Sequence, residues 1–252
     1  KKLLGGFSHN DDEFYNFSWV GKNNAEKNRL SPTIGTFIPI KKESVNFETT
    51  ENLFIEGENL LSLKLLREHY LNKIKMIYID PPYNTGKEFI YNDKYKDNIQ
   101  DYLEFSGQVK DGIKLTGKPE TSGRIHSTWL SMMYSRLGLA WDLLNEEDGI
   151  IFISISDHEF HNLKFLMNDI FGEENFIADI IWNSTKSVTN TALISVAHTH
   201  NLVYAKNIDF FTKNRNEFRL PETEEGFDNP DNDKRGPWKA DPFQVGGLRP
   251  NQ

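Results

Sequence analysis

The four residues Asp80-Pro81-Pro82-Tyr83 set a carboxylate, stiff backbone and a flat ring side by side. They follow directly on Lys75-Met76-Ile77-Tyr78-Ile79, a short apolar run of strand type. In open α/β sheets, ligands bind just past the carboxyl ends of strands. The two prolines fix φ and forbid both ladder and helix. The Pro81 carbonyl therefore stands outside any ladder and is free to accept a hydrogen bond from a ligand. A carboxylate, a carbonyl and a ring suit a planar ligand that bears an NH2 group. Both acceptors take the amine, and Tyr83 covers the ring face. The bare tetrapeptide also fits an Asx-type turn with a packing tyrosine. The strand before it and Asn84-Thr85-Gly86 after it favour the ligand reading.

Several elements must hold that loop in place. Leu53-Phe54-Ile55 reads as a short strand ending at Glu56-Gly57, and Leu60, Leu61, Leu63, Leu65 and Leu66 give a helix up to Tyr70. Residues 84–123 read as loop with a short helix near Ile99–Phe105. Trp129, Met132, Met133, Arg136, Leu137, Ala140, Leu143 and Leu144 recur at helical spacing and predict a long helix from Ile125 to Leu144. Asp148-Gly149 then turns into the strand Ile150 to Ser154. Ser156 and Glu159 form a capping box ahead of a helix to Phe171, with Gly172 at its C-terminal cap. Phe176 to Trp182 and Asn201 to Tyr204 are further strands. Alternating strand and helix between 53 and 182 argue an α/β layer with a mostly parallel sheet. Residues 1–50 look irregular, and the chain turns polar and acidic after Ile208.

Composition narrows the classes. The 252 residues contain no cysteine, which excludes a disulfide scaffold, a thiolate zinc site and a thiol nucleophile. No apolar run reaches the roughly 18 residues of a membrane span, and no signal-peptide pattern opens the chain. The expectation is a cytoplasmic protein. The net charge of -8 is unevenly spread. Residues 61–140 are net basic, whereas Asp142 to Asp179 is a dense acidic run, read as a solvated face or a partner surface.

The stretch Ile77 to Gly86, continuing to Phe89-Ile90-Tyr91-Asn92-Asp93, resembles the catalytic motif of amino-methylating DNA methyltransferases. More narrowly, it resembles that of the modification (Mod) subunit of type III restriction–modification systems. Phe54 to Leu60, Arg124 to Leu130, Met132-Met133-Tyr134, Asp148 to Ser154, Ile170 to Phe176 and Asp231 to Trp238 fit the same subunit. The resemblance covers roughly residues 50–252. It implies a Rossmann-like methyltransferase domain that uses S-adenosylmethionine to methylate adenine N6 in a short DNA site. It also implies a circularly permuted motif order, with the catalytic motif first and a Phe-x-Gly-x-Gly cofactor pocket last. That segment does not occur among these residues, and the family's subunits are longer, so the chain reads as an incomplete N-terminal portion. On this reading residues 1–50 are an irregular extension, 51–208 the catalytic-motif half, and 209–252 the start of a target-recognition or insert region. The implied partners are duplex DNA with a flipped adenine, a second Mod copy and a restriction (helicase/endonuclease) subunit, with no membrane.

The residue chemistry fits such a reaction. A carboxylate is too weak a base to deprotonate an aromatic amine in the ground state. Asp80 and the Pro81 carbonyl act better as acceptors of both N–H bonds, which directs the nitrogen lone pair at the methyl group. A target base must be flipped out of the duplex to be reached. Tyr83 offers it a stacking face, and Phe89, Tyr91 and Tyr95 are further faces. Pro82 completes the catalytic set. Glu58 is a candidate cofactor contact together with Asp80, or else a helix N-terminal acid. Arg124, His126 and Arg136 flank the long helix in structural or phosphate-contact roles, and Arg124 is the DNA-binding candidate among them. Lys206, Lys213, Arg215 and Arg219 are candidates to begin a DNA-contacting region. Neither His158 with His161 nor His198 with His200 is assigned to a metal. Two rival functions remain: N4-cytosine methylation, which more often goes with Ser than Asp at position 80, and a truncated, non-catalytic subunit that binds DNA or a partner.

Overall fold

A computed structural model describes residues 16–84, 109–110, 113–114, 122–184, 195–220 and 225–239. It separates into two compact units, Lys1–Lys213 and Asn214–Gln252. The first unit carries helices α1 (Lys22–Leu30) and α2 (Asn59–Tyr70), then strand β1 (Met76–Ile79). A two-residue antiparallel ribbon, β2 (Val109–Lys110) with β3 (Ile113–Lys114), comes next. Helix α3 (Ser122–Leu143), strand β4 (Ile150–Ile155) and helix α4 (Asp157–Phe171) follow. Strands β5 (Phe176–Asn183) and β6 (His198–Ala205) and the short helix α5 (Ile208–Lys213) complete it. In the second unit a 3-10 helix (Arg215–Phe218) precedes local turns, with Asp228 bridged to Trp238 and the Trp238 indole donating to Asp231 at 2.9 Å.

The four-stranded sheet has the order β1-β4-β6-β5. Among the described strands of this sheet, only β1 and β4 run parallel, joined in register from Met76–Ile150 to Ile79–Ile153. β6 runs antiparallel to both β4 and β5. The expected mostly parallel sheet is therefore corrected to a mostly antiparallel one. The reason is connectivity. Helix α3 lies between β1 and β4 in the chain and supplies the crossover that a parallel pair needs. No described helix lies between β5 and β6, so the chain returns beside β5 in the opposite sense. β6 then occupies the place next to β4 that a further parallel strand would take.

The core lies between one sheet face and two helices. Ile151, Ile153 and Ile155 alternate along β4 and are fully buried, as period two requires of one strand face. They pack with Leu202 and Tyr204 of β6, Trp129, Met132, Met133 and Leu137 of α3, and Leu163, Leu166, Met167 and Phe171 of α4. Gly172, at φ 88°, ends α4 as the sequence suggests.

Three other expectations fail locally. Leu53 to Ile55 is not a strand but an exposed extended segment. Ser156 caps α4 by position only, with no side-chain capping bond, and the Glu159 carboxylate turns inward instead of back to the Ser156 N–H. Residues 22–30, read as irregular, form α1. That helix has no apolar stripe to announce it, and only Ala25 is buried. It lies on the small stripe Ser131, Ser135 and Gly138 of α3, where Trp19 Nε1 donates to Ser131 at 3.0 Å and Ser135 to the Ala25 carbonyl at 2.9 Å. A side chain at Gly138 would run into Arg29. The helix expected near Ile99–Phe105 lies outside the described residues.

The acidic run is not simply a solvated face. Asp142 pairs with Arg29 at 3.4 Å and Arg67 at 2.8 Å, and Asp169 with Lys22 at 2.9 Å. These acids tie α1 and α2 to the core. Lys206, read as a possible DNA contact, is likewise buried. Its ammonium donates to Asn72 Oδ1 at 2.7 Å and to the Leu144 carbonyl at 2.8 Å, and sits 5.1 Å from the Trp141 ring centroid. Lys206→Met leaves two acceptors without that donor, at a cost of about 1–3 kcal/mol. Exposed Lys213→Ala stays within about 0.5 kcal/mol. Urea unfolding midpoints check this, and equal effects of the two changes would refute the staple.

Candidate active site

β1 ends where Pro81 removes the next ladder donor, so Asp80 emerges at the carboxyl end of the parallel pair β1–β4. Asp80 is exposed, Pro81 buried, and Pro82 and Tyr83 half-buried. Tyr83 packs against the core, which fixes its ring rather than leaving it to swing.

The loop is pinned at two points. The fully buried Trp129 of α3 donates its indole N–H to the Pro82 carbonyl at 2.7 Å. An indole buried in a core needs such an acceptor, and a proline carbonyl outside the ladder provides one. The second pin is Asn84, which turns the chain at φ 59°, a left-handed conformation that Asn tolerates. Its side-chain amide donates to Glu159 Oε1. Glu159 is fully buried at the start of α4 and also takes His126 Nδ1–H at 2.6 Å and the Asn162 amide at 2.7 Å. A buried carboxylate without donors would be very costly; three donors make it a junction. Asn84, His126 and Glu159 thus join the loop, α3 and α4.

A second polar chain crosses the sheet beside the loop. Ser154 donates to Asn201 Oδ1 at 2.7 Å, so its one hydroxyl proton is committed. Tyr78 therefore donates to Ser154, at 2.5 Å. This fixes the ring two residues before Asp80.

The other candidates divide. Glu58 caps α2: its two oxygens accept from Leu60 N at 2.9 Å and Leu61 N at 2.8 Å. Arg136 holds it from α3 at 3.2 Å while also binding Asn59 Oδ1 at 2.8 Å. Arg124 is half-buried, with its Nε lacking a hydrogen-bond partner among the described residues. Lys213, Arg215 and Arg219 are exposed. Phe89, Tyr91 and Tyr95 lie outside the described residues. Sequence reasoning assigned no loop-holding role to Trp129, Asn84 or Glu159. One signal was present: a tryptophan on the core face of a helix needs an acceptor for its N–H. Chemically, the loop offers fixed acceptors and a fixed ring, which suits an amine on a flat heterocycle.

Comparisons with known proteins agree in kind. Residues 74–251 match a family of N6/N4 methyltransferases described as DNA methylases. The chain is 38% identical over 205 residues to the Mod subunit of the type III restriction-modification enzyme EcoP15I of Escherichia coli, covering 77% of this chain and 31% of that protein. It is 38% identical over 199 residues to the StyLTI Mod subunit of Salmonella typhimurium, covering 76% and 30%. It is 34% identical over 190 residues to the type II methyltransferase M.KpnI of Klebsiella pneumoniae, covering 72% and 40%. The chain therefore spans about a third of the length of the two Mod subunits.

Trp129→Phe keeps most of the buried ring but deletes the donor to Pro82. The lost hydrogen bond is worth about 1–3 kcal/mol, so the Tyr83 and Asn84 amides should exchange with solvent about 5- to 150-fold faster. The β6 amides should change much less. Hydrogen exchange resolved by residue checks it, and unchanged loop protection would mean that the loop is held elsewhere.

Proposed function

This chain belongs to the N6/N4 family of DNA methylases, and we propose that it carries the amine-binding portion of a site-specific DNA adenine-N6 methyltransferase, the Mod-type subunit of a type III restriction–modification system. The observation that carries this reading is the Asp80–Tyr83 loop, held by Trp129 at Pro82 and by Glu159 at Asn84, at the carboxyl end of β1.

In this reading the Asp80 carboxylate and the Pro81 carbonyl take the two amine N–H bonds of a flipped adenine. The neighbouring Pro82 carbonyl is already bound by Trp129, so it does not compete. Accepting both N–H bonds favours a pyramidal nitrogen with its lone pair directed outward. The proton leaves only as the nitrogen becomes cationic, so the Asp80 interaction is strongest in the transition state. Flipping costs a few kcal/mol, and stacking on Tyr83 returns about 1–3 kcal/mol. Because the ring is already packed, little of that is lost in ordering it. An acid at position 80, rather than Ser, favours adenine over cytosine as the target.

The family implies S-adenosylmethionine, which when bound supplies an electrophilic methyl group on a sulfonium. The described residues fit its reacting end, where Asp80 stands exposed. They do not supply a cradle for its methionine end. The tight glycines Gly138 and Gly149 are closed on by Arg29 and by the Asn145 carbonyl, and Glu58 is occupied as a helix cap. Residues 51–208 then form the catalytic-motif half of a permuted domain, and 209–252 open a recognition or insert region. Duplex DNA, a second copy and a restriction subunit are the partners in this reading, with Arg124 on the DNA side. No helix among the described residues is long and apolar enough to cross a membrane.

The test uses full-length protein in single turnover with saturating cofactor. Wild type should make N6-methyladenine in duplex DNA, scored by nucleoside mass spectrometry. Asp80→Ala should lose at least about 10- to 150-fold in rate, from a charge-assisted hydrogen bond of about 1.5–3 kcal/mol. Asp80→Asn should lose less, and cofactor affinity should change less than turnover. N4-methylcytosine as the sole product would make the rival target correct, and a wild-type rate in Asp80→Ala would remove the loop from catalysis.

A further inference from the structure

A second cluster lies where the start of β6 meets the start of α4, at the same end of the sheet as the amine loop. His198 and His200 are two residues apart on one face of β6. Asp157 opens α4, directly after β4, and Asp179 comes from β5. His200 Nε2 lies 2.9 Å from Asp157 Oδ1, and His198 Nε2 lies 3.8 Å from the same oxygen. The donor atoms of these three residues all lie within 4.8 Å of one another. On its other side, His200 Nδ1 meets Asp179 Oδ2 at 2.8 Å. Phe160 walls the ring at a centroid distance of 4.2 Å.

We propose that Asp157, His198 and His200 bind a divalent transition cation of the zinc type, with Asp179 as the outer carboxylate that orients His200.

The geometry lies close to what such an ion needs. Zinc sits about 2.0–2.1 Å from imidazole nitrogen and carboxylate oxygen, so tetrahedral ligands stand about 3.3 Å apart. The two distances from Asp157 bracket that value, and all three ligand atoms lie within 4.8 Å of one another. The Asp179–His200 contact is the carboxylate–histidine arrangement that fixes ring orientation and tautomer at metal sites. It leaves Nε2, the atom facing Asp157 and His198, as the ligand. Two imidazoles and one carboxylate select zinc, cobalt or nickel over magnesium, which prefers an all-oxygen shell.

Charge points the same way. Asp157 and Asp179 bring two carboxylates to one imidazole, and the second oxygen of Asp179 is buried with no hydrogen-bond partner among the described residues. A divalent cation with two neutral histidines balances both acids. Among the described residues, His158 acts on Asp157, and Lys164 interacts with Asp179. Without a metal, burial pushes His200 toward neutrality, but hydrogen bonds to Asp157 and Asp179 outweigh it and hold its pKa above the ordinary value. The Asp157 pKa is lowered, chiefly by the His200 hydrogen bond. A metal on Nε2 would stand beside the Asp157 carboxylate, with Asp179 on the other ring nitrogen. Three protein ligands leave one coordination position for water.

The experiment is zinc titration of tag-free full-length protein by calorimetry, with native mass spectrometry for stoichiometry. One zinc per chain at micromolar metal is expected, with no binding of magnesium at the same concentration. His198→Ala and Asp157→Asn should each weaken zinc at least about 10-fold, and Asp179→Asn about 10- to 100-fold. The His198 and Asp157 side chains are 39% and 52% exposed, so these two variants keep the core intact, and circular dichroism verifies it. Cobalt should give the intense visible bands of a tetrahedral site in wild type and lose them in His198→Ala. Absence of stoichiometric zinc, or zinc binding that survives both His198→Ala and Asp157→Asn, would reduce the cluster to an ion-pair network.

Discussion

A tryptophan buried to nothing must still place its N–H, and Trp129 places it on Pro82. Much of the candidate site hangs from the helix that carries this residue. His126, Trp129 and Arg136 follow one another along α3 at near-helical spacing, and each reaches a different element. His126 meets Glu159 of α4, Trp129 meets the proline loop, and Arg136 meets Glu58 and Asn59 at the start of α2. Another stripe of the same helix, made of Ser131, Ser135 and Gly138, receives α1. A rigid rod with several dedicated stripes can hold a short loop more closely than the loop can hold itself.

The polar contacts differ in weight by location. Lys41 and Glu48 are both well exposed, and such a pair contributes about 0–1 kcal/mol. Glu159 is another matter. Breaking a fully buried, paired carboxylate typically costs about 3–5 kcal/mol, because a bare charge is left behind. Its three donors come from the proline loop, α3 and its own helix, so the penalty for losing any one of them binds these parts together. Energetically, the junction at Glu159 outweighs the surface pairs.

Where local rules decide the outcome, the sequence was legible. The helical recurrence from Trp129 to Leu144, the strand at Ile150 and the abrupt stop at Asp80-Pro81 all follow from period and proline chemistry, and all are present. What escaped depends on partners distant in sequence. Helix α1 has no apolar stripe, because serines, a glycine and distant acids hold it. Glu159 fits a capping box at its spacing, yet Asn84, 75 positions earlier, claims it. A dense acidic run looks solvated until the cations that meet it are located. Strand direction escaped because periodicity reports which face is buried, never which way the neighbour runs.

The central position of β6 also has a consequence in time. β1, α3 and β4 are complete by Ile155, and β5 by Asn183, but β5 has no place in the sheet until the chain reaches Ala205. At a synthesis rate of about 5–20 residues per second, that interval lasts on the order of one to four seconds. Throughout it, β4 lacks its neighbour on one side and β5 is paired with no described strand. These edges are open to pairing with the wrong neighbour, including the same segment on an adjacent ribosome. A late wedge of eight residues covers the open side of β4 and gives β5 its partner in a single step.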